Sequence, residues 1–491
     1  MTRRSVTAFA AGLLAVAAFA PFDALPAGLA ALAVLIHLWK TAGDARGCFR
    51  TGWWFGAGFF GAGVSWIYVS LNQFGGMASP VAALATLAFC AFLALFPALA
   101  GWLQAQVDAP PVVRATLVIP AVWAMTEWVR GSIMTGFPWL SMGSAVPGWS
   151  LAGYAPLIGM YGCTLAVLAL AGLLGCVARK ESLWPAIGAA LALALGGEAL
   201  RHLEWTTPAG KLAVSLLQGN ISQDMKFSPE RYANTLERYA DLVESSRGRL
   251  IVLPETAVPR FLDRVAPDYI SRLESAARRN GGDLLLGIPV RTSPDHYLNS
   301  IVTLGMSPAQ RYDKAHLVPF GEFVPPGLGV VMRQLSVPLS DFSRGSDTPR
   351  PLEVAGTRVA VSICYENAFG EEVARQLPAA TLLVNASNVA WFGDSLAPAQ
   401  HLQIARLRAI ETGRMHLTAT NTGISAAIER DGRVVARLPQ FVSGRIEQLA
   451  SLYEGATPYV RIGDLGALAL AAAMLVVAAI IRRPSGRSPT C

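Results

Sequence analysis

Charge is scarce in this chain. Asp, Glu, Lys and Arg make up 15% of its 491 residues, against roughly 25% in an ordinary soluble protein. The scarcity is local: long tracts before Arg201 carry almost no charge, while Lys211 to Tyr459 reads like a normal globular domain. That excludes a single soluble globule and implies a membrane part joined to a soluble part. Cysteine is scarce too. Cys48, Cys90, Cys163 and Cys176 lie in or beside apolar stretches, Cys491 is the last residue, and Cys364 stands alone between Lys211 and Tyr459. A disulfide framework in the soluble part is therefore excluded. There is no Cys-X-X-Cys pair and no Cys/His cluster at ligand spacing, so neither a metal nor a cofactor is expected. The formal net charge of +7 does not signal nucleic acid, because the bases form no stripe interleaved with aromatics. Many sit in short loops beside apolar runs, as membrane orientation requires.

What is present in abundance is apolar sequence. A membrane-crossing helix needs about 20 mostly apolar residues, since lipid offers no partners to free backbone groups. Such stretches are expected near 5–20, 24–39, 52–71, 79–103, 112–130, 156–177, 183–200 and 464–481. The first resembles a signal peptide, but Pro21 directly after "AFA" argues for a retained span. Arg3, Arg4, Lys40, Arg46, Arg50, Arg114, Arg179, Lys180, Arg482, Arg483 and Arg487 all fall on one side of this arrangement. The positive-inside rule then places both termini in the cytoplasm and the domain after the seventh span outside it. In a bacterium this is an inner-membrane protein whose soluble domain faces the periplasm. The expected organisation is a helical region 1–203, an outer domain 211–455, a last span 464–481 and a basic tail 482–491.

Within the outer domain, "KLAVSLL", "RLIVLPE", "DLLLGIP", "NSIVTL", "RVAVSIC", "TLLVNAS" and "HLTATN" are short β-rich runs bounded by Gly, Pro, Asn or Asp. Helical patterns lie between several of them. In "SPERYANTLERYADLVESS" Tyr232, Leu236, Tyr239 and Val243 share one face, with Ser228 placed to cap. "PDYISRLESAARRNGG" is a helix with Gly281 at its C-cap position, and "APAQHLQIARLRAIETGR" is a third helix. "IERDGRVVARL" reads as a hairpin turning at Asp431-Gly432. Strands alternating with helices imply a layered α/β domain with doubly buried strands.

Cys364 follows "RVAVSI" and precedes Tyr365 and Glu366, which puts the thiol at a strand end, where sheet proteins place reactive groups. A free cysteine is most often a small buried hydrophobe, but an unpaired thiol in an oxidising compartment is a liability unless it is used. A thiol nucleophile needs a base and a group to hold the oxyanion. The histidines available, His296, His316, His401 and His416, show no local signature of a Cys-His site. Two other strand ends carry ionisable groups: Glu255 in "RLIVLPET", and Lys314 with Glu322 in "QRYDKAHLVPFGE".

Glu255, Lys314 and Cys364, in this order and spacing, resemble the Glu-Lys-Cys triad of the nitrilase, or carbon-nitrogen hydrolase, superfamily. "GFPW" (Gly136 to Trp139), "QGNISQ" (Gln218 to Gln223) and "HLVPFGEFVP" narrow the resemblance, over essentially the whole chain, to the apolipoprotein N-acyltransferases. That resemblance implies a nitrilase-like αββα sandwich on a base of about eight membrane helices. It implies acyl transfer from a membrane phospholipid, phosphatidylethanolamine in the first instance, through a thioester on Cys364. The acceptor it implies is the α-amino group of a diacylglyceryl-cysteine on an apolipoprotein. Glu255 would act as general base and Lys314 as oxyanion stabiliser. Glu322, Tyr365 and Glu366 would support them, and Phe227, Trp139 and Trp391 would bind substrate or order a lid. The chain departs from the family pattern at Phe227, where Trp is common, and at Asn367, where an aliphatic residue is usual. The rival reading is a membrane-anchored amidase that hydrolyses a C–N bond with the same triad. A transporter is a weaker rival, because ionisable residues inside the spans are few and the clearest, His37 and Glu127, lie near span ends.

Overall fold

The computed structural model describes residues 2–178, 183–223, 229–294, 296–323 and 341–481. The chain divides into two compact units. The first comprises Met1–Ser65, Thr86–Leu203 and Asp464–Cys491; the second comprises Trp66–Ala85 and Glu204–Gly463.

The first unit is helical. Among the described residues, Ser79–Gln106, Pro111–Arg130, Ser150–Ala178 and Leu183–Arg201 are long and apolar enough to cross a membrane. Leu25–Lys40 and Leu465–Ile480 are apolar but shorter. The stretch expected to span at 52–71 is broken. A helix runs Ala45–Gly63, and the chain then bends by 55° into Ile67–Phe74, so the two count as a fifth span only if taken together. Small residues set the packing. A Cβ on Gly12 would strike the backbone of Phe55, and one on Gly58 the backbone of Phe9. The helices Arg3–Ala15 and Ala45–Gly63 therefore meet backbone to backbone, the close approach that glycine permits between apolar helices.

The second unit is built on two six-stranded sheets. The strands are β1 (Thr206–Gln218), β2 (Leu250–Val252), β3 (Asp283–Ser293), β4 (His296–Gly305), β5 (Arg311–Asp313), β6 (Leu352–Val354), β7 (Thr357–Ile363), β8 (Leu382–Ser387), β9 (His416–Thr420), β10 (Ala426–Ile428), β11 (Val434–Arg437) and β12 (Gly444–Gly455). One sheet has the order β12-β1-β2-β3-β4-β5 and the other β11-β10-β9-β8-β7-β6. Each has three parallel strands at its centre, β1, β2 and β3 in one and β7, β8 and β9 in the other, flanked by antiparallel neighbours.

Period-two alternation explains why these runs read as continuously apolar. In β7, Val359, Val361 and Ile363 enter a large cluster that draws from both sheets, while Ala360 faces a smaller one with Val373 and Leu377. In β2, Leu250 and Val252 join the shared cluster and Ile251 turns to a second one. That second cluster holds Tyr239 and Val243 from the helix Pro229–Glu244 and Leu273 from the helix Pro267–Arg279. Tyr232 and Leu236 pack against it half-buried, so the expected helix face is the one that docks. Both faces of the central strands are covered, as parallel sheets require. The hairpin at Asp431-Gly432 forms, with Gly432 at φ +81°, and Gly281 takes φ +66° after its helix. Ser228 lies outside the described residues.

The bent segment after Gly63 belongs to this second unit. Trp66 Nε1 donates to Gln400 Oε1 at 3.2 Å, and Ser70 Oγ donates to the Trp391 carbonyl at 2.8 Å. Trp66 packs edge-on to Phe392, and Phe74 to Trp391.

Candidate active site

The sheets deliver their polar residues at the carboxyl ends of the parallel strands, where such sheets bind ligands. Glu255 follows β2, Cys364 follows β7, Asn388 follows β8 and Asn421 follows β9. Lys314 follows the edge strand β5. Its backbone is fixed on both sides: its N–H donates to the Asn299 carbonyl at 2.9 Å, and its carbonyl accepts from Gly345 at 2.8 Å.

The structure brings Glu255, Lys314 and Glu322 into direct contact. Lys314 Nζ lies 3.2 Å from Glu255 Oε1, 2.9 Å from Glu322 Oε1 and 2.8 Å from Glu322 Oε2. Lys314 is 1% exposed, and an ammonium so far from water persists only when it is paired. Burial alone would lower its pKa; Glu255 and Glu322 outweigh that and raise it, so Lys314 is cationic. Asn299, on β4, joins the two carboxylates. Its Nδ2 donates to Glu255 Oε1 at 2.7 Å and to Glu322 Oε1 at 2.8 Å. The amide must point this way, because its oxygen would otherwise face two carboxylate oxygens. The Asn388 N–H donates to Glu255 Oε2 at 2.8 Å, and the Asn388 side chain is held by Gln223 and Asn421. Glu322 also accepts from the Val318 N–H at 2.8 Å, which ties it to its own turn.

Cys364 sits at φ +52° at the start of the short helix Cys364–Ala368. For a residue with a side chain this left-handed conformation costs about 1–3 kcal/mol and persists only where the surroundings over-determine it. Here they do. Glu366, two residues on, accepts from the Ile363 N–H (2.6 Å), the Tyr312 hydroxyl (2.8 Å), the Ala315 N–H (2.7 Å) and the His316 N–H (3.0 Å). One carboxylate thus ties the cysteine turn to the segment that follows Lys314. Burial pushes its pKa up to about 7, opposed by Lys314 and by these donors. On the other side of the turn, Asn385 Nδ2 and His401 Nε2 both reach the Cys364 carbonyl at 3.3 Å.

The thiol is buried and within electrostatic reach of Glu255, Lys314 and Glu322. Burial raises its pKa most, Glu255 and Glu322 add to the rise, and Lys314 and the Asn388 N–H oppose it. At rest Cys364 is a thiol, not a thiolate, so a nucleophilic role needs a base that takes the proton as attack begins. Such an array suits acyl chemistry: a thiol beside a carboxylate, with a fixed ammonium to meet developing negative charge.

The remaining expected residues are placed as follows. Tyr365 packs edge-on against His316 and Phe369, with ring centroids 5.6 and 5.1 Å away. Trp391 is half-buried and contacts Ser70 and Phe74. Trp139 is buried in the helical unit, beside Phe137, and Arg130 Nη1 donates to its carbonyl at 2.6 Å. Phe227 lies outside the described residues. Asn367, one of the two departures from the family pattern, is fully buried, and its Oδ1 accepts from His416 Nε2 at 3.0 Å. Desolvation holds His416 neutral, with a pKa lowered to about 3, so the substitution is absorbed as a histidine partner. Asn299, Asn385, Asn388 and His401 were not singled out as site residues by the sequence. Among the described residues, no group of three or more His, Cys, Asp or Glu side chains could hold a metal ion.

Two family models match the chain. Residues 11–173 match the apolipoprotein N-acyltransferase N-terminal domain, and residues 213–450 match carbon-nitrogen hydrolase. An apolipoprotein N-acyltransferase of Nitrosomonas europaea is 46% identical, covering 99% of each chain. One of Methylococcus capsulatus is 42% identical over 98% of this chain and 97% of its own. In the solved structures, an amidase from Nesterenkonia sp. aligns over 52% of this chain and 94% of its own, at 17% identity and a TM-score of 0.36.

Proposed function

This chain belongs to the apolipoprotein N-acyltransferase family, and from that premise we propose that Glu255, Lys314 and Cys364 carry the acyl transfer in two half-reactions. It is an acyltransferase of lipoprotein maturation, with a lipoprotein acceptor and a lipid donor. The amidase reading is not favoured, because the match extends through residues 11–173 in a model named for the acyltransferase. The observation that carries the site assignment is Lys314, buried between Glu255 and Glu322 and within electrostatic reach of Cys364.

In the first half-reaction Glu255 takes the thiol proton and the sulfur attacks the ester carbonyl of a phospholipid, phosphatidylethanolamine in this proposal. The C–S bond forms, and the carbonyl π pair moves onto oxygen, where Lys314 and the Tyr365 N–H meet the charge. When the C–O bond breaks, Glu255 returns its proton to the departing glycerol oxygen. In the second half-reaction Glu255 takes a proton from the α-amino group of the diacylglyceryl-cysteine as its nitrogen attacks the thioester; the C–S bond breaks and Glu255 passes that proton to the departing sulfur, leaving an amide and a restored thiol. Glu322 positions Lys314. Glu366 and Tyr365 shape the cysteine turn, and the role proposed for Phe227 and Trp391 is to bind substrate or order a lid. Trp139 holds the shape of its own loop.

The proposed frame is a helical base of about eight spans, residues 1–203 and 464–481, with a cytoplasmic tail at 482–491. It carries an αββα outer domain at 211–455 that faces the periplasm from the inner membrane. The face-to-face cluster shared by both sheets and the helix-covered outer faces support the layering. Reporter fusions after Arg50 and within 211–455 should report opposite sides; equal sidedness would overturn the topology.

The mechanism is tested by intact mass. Purified enzyme incubated with phosphatidylethanolamine should gain one acyl mass on Cys364, removable by hydroxylamine. A diacylglyceryl lipopeptide with a free N-terminus should discharge the adduct, and an N-acetylated one should not. An adduct on another residue would sink the proposal.

A further inference from the structure

The cysteine turn is held from behind by two side chains that the acyl-transfer steps do not use. The Cys364 carbonyl accepts from Asn385 Nδ2 and from His401 Nε2, each at 3.3 Å. Both residues are buried, Asn385 at 0% and His401 at 3% exposure. Their donor roles are fixed by chemistry. A carbonyl oxygen only accepts, so the His401 proton sits on Nε2. Asn385 Oδ1 accepts from Ser387 Oγ at 2.6 Å, which leaves its Nδ2 to donate. That nitrogen also reaches Ser362 Oγ at 2.9 Å, its cross-strand partner in the parallel pairing of β7 with β8. His401 comes from another element, the helix Ala397–Thr412, and the residue before it, Gln400, is the one that accepts from Trp66.

Two buried side-chain donors, from two elements, fill both lone pairs of this one oxygen. The peptide it belongs to carries the consequence. It is planar and trans, so its C=O and N–H point in opposite directions. Fixing the Cys364 oxygen fixes the direction of the Tyr365 N–H. Hydrogen bonds to the oxygen also polarise that N–H, making it a better donor.

We propose that His401 and Asn385 are positioning residues of the oxyanion site: by gripping the Cys364 carbonyl they aim the Tyr365 N–H at the oxygen that gains charge during acyl transfer. The inference rests on the acyl-transfer reading above and extends it to residues that touch no substrate.

The test separates oxyanion support from nucleophile placement. Acylation by phospholipid places negative charge on oxygen. Alkylation of the same thiol by iodoacetamide is a displacement at saturated carbon and creates no oxyanion. In full-length enzyme in phosphatidylethanolamine-containing micelles, His401→Phe should slow single-turnover acylation of Cys364 at least tenfold. The phospholipid concentration for half-maximal rate and the iodoacetamide rate should each stay within about twofold. His401→Gln, whose amide nitrogen reaches as far, should recover most of the acylation rate. Asn385→Leu should repeat the pattern of His401→Phe. If His401→Phe shows no cooperative melt, His401→Asn, polar but too short to reach, takes its place. Equal loss of acylation and alkylation would overturn the proposal in favour of a grip on the sulfur itself. Unchanged acylation, or no rescue by Gln, would also overturn it. Failure of the underlying reading is distinguishable: wild-type enzyme would then alkylate at Cys364 but never carry an acyl mass there, and this inference would fall with it.

Discussion

Each unit buries a carboxylate among polar neighbours, and the two are treated differently. In the helical unit Glu127 accepts from Trp123 Nε1 (2.8 Å), the Met142 N–H (2.9 Å) and Thr164 Oγ1 (2.7 Å). Nearby, Arg130 donates to the carbonyls of Phe137 and Trp139 and to Ser141 Oγ. These contacts clamp the loop that contains "GFPW" onto its own helix. In the sheet unit two carboxylates share one ammonium, with an uncharged thiol beside them. The first network sets one carboxylate against three neutral donors and one nearby guanidinium, Arg130, and holds a shape. The second leaves more acceptor charge than its lysine can match, which suits a site that must take up a proton. Burial and hydrogen bonding alone do not mark a catalytic carboxylate; the balance of charge around it does.

That contrast can be broken most sharply at the sheet site. Cys364→Ala should abolish the acyl adduct in intact-mass analysis. Lys314→Met should slow adduct formation several hundredfold, since loss of one oxyanion donor costs about 2.7–4 kcal/mol, and Glu255→Gln should suppress it in the fraction of enzyme that remains folded. If Lys314→Met acylates at the wild-type rate, the unmatched charge has no catalytic meaning.

Glu127→Gln probes the other side. Its amide must present a donor to groups that also donate, so a melt in detergent should show a loss of about 1–3 kcal/mol, with adduct formation by the folded enzyme unchanged. A slowed reaction with an unchanged melt would erase the distinction between the two networks.

A smaller effect sharpens it. Glu322 helps hold the Cys364 thiol protonated. Glu322→Gln keeps a hydrogen-bond partner for Lys314 and removes that charge, so iodoacetamide should alkylate Cys364 severalfold faster at fixed pH. The sign for the wild type follows from the same shift. A thiol pKa raised above its ordinary 9 means less thiolate at every pH below it, so the alkylation rate should keep climbing through pH 9 and beyond. A plateau near pH 8 would contradict the placement of the carboxylates.

Much of the sheet unit was legible because its strands are short apolar runs with clear stops. "RVAVSIC" and "TLLVNAS" became β7 and β8 where they were expected. The strands that escaped notice have weaker patterns. β5 and β6 are three residues long, and β12, "GRIEQLASLYEG", is half-exposed and mixes charge into its alternation. Among the triad candidates, Glu255 and Lys314 meet directly. Asn299 and Asn385 were hidden because they sit inside runs read as strands, and Asn388 because it lies just past one; for Asn385 the available signal was an amide between two apolar neighbours. His401 was hidden because its partner is a backbone carbonyl, which leaves no mark in the sequence. The bend after Gly63 was hidden because hydropathy averages over it.

The bracing of Gln400 by Trp66 gives the sheet unit an unusual assembly order. Trp66 and Gln400 are 334 residues apart, and Ser70 lies 321 from Trp391. During synthesis the segment that supports the turn beside Asn388 leaves the ribosome long before that turn exists. It must wait, flanked by apolar helices, until residues 391–400 arrive. All twelve strands lie in the chain after Glu204, but this support does not. A fragment starting at Glu204 would therefore be a complete pair of sheets missing a piece made before any of its strands, and the unit is not a portable module that evolution or a designer could move whole.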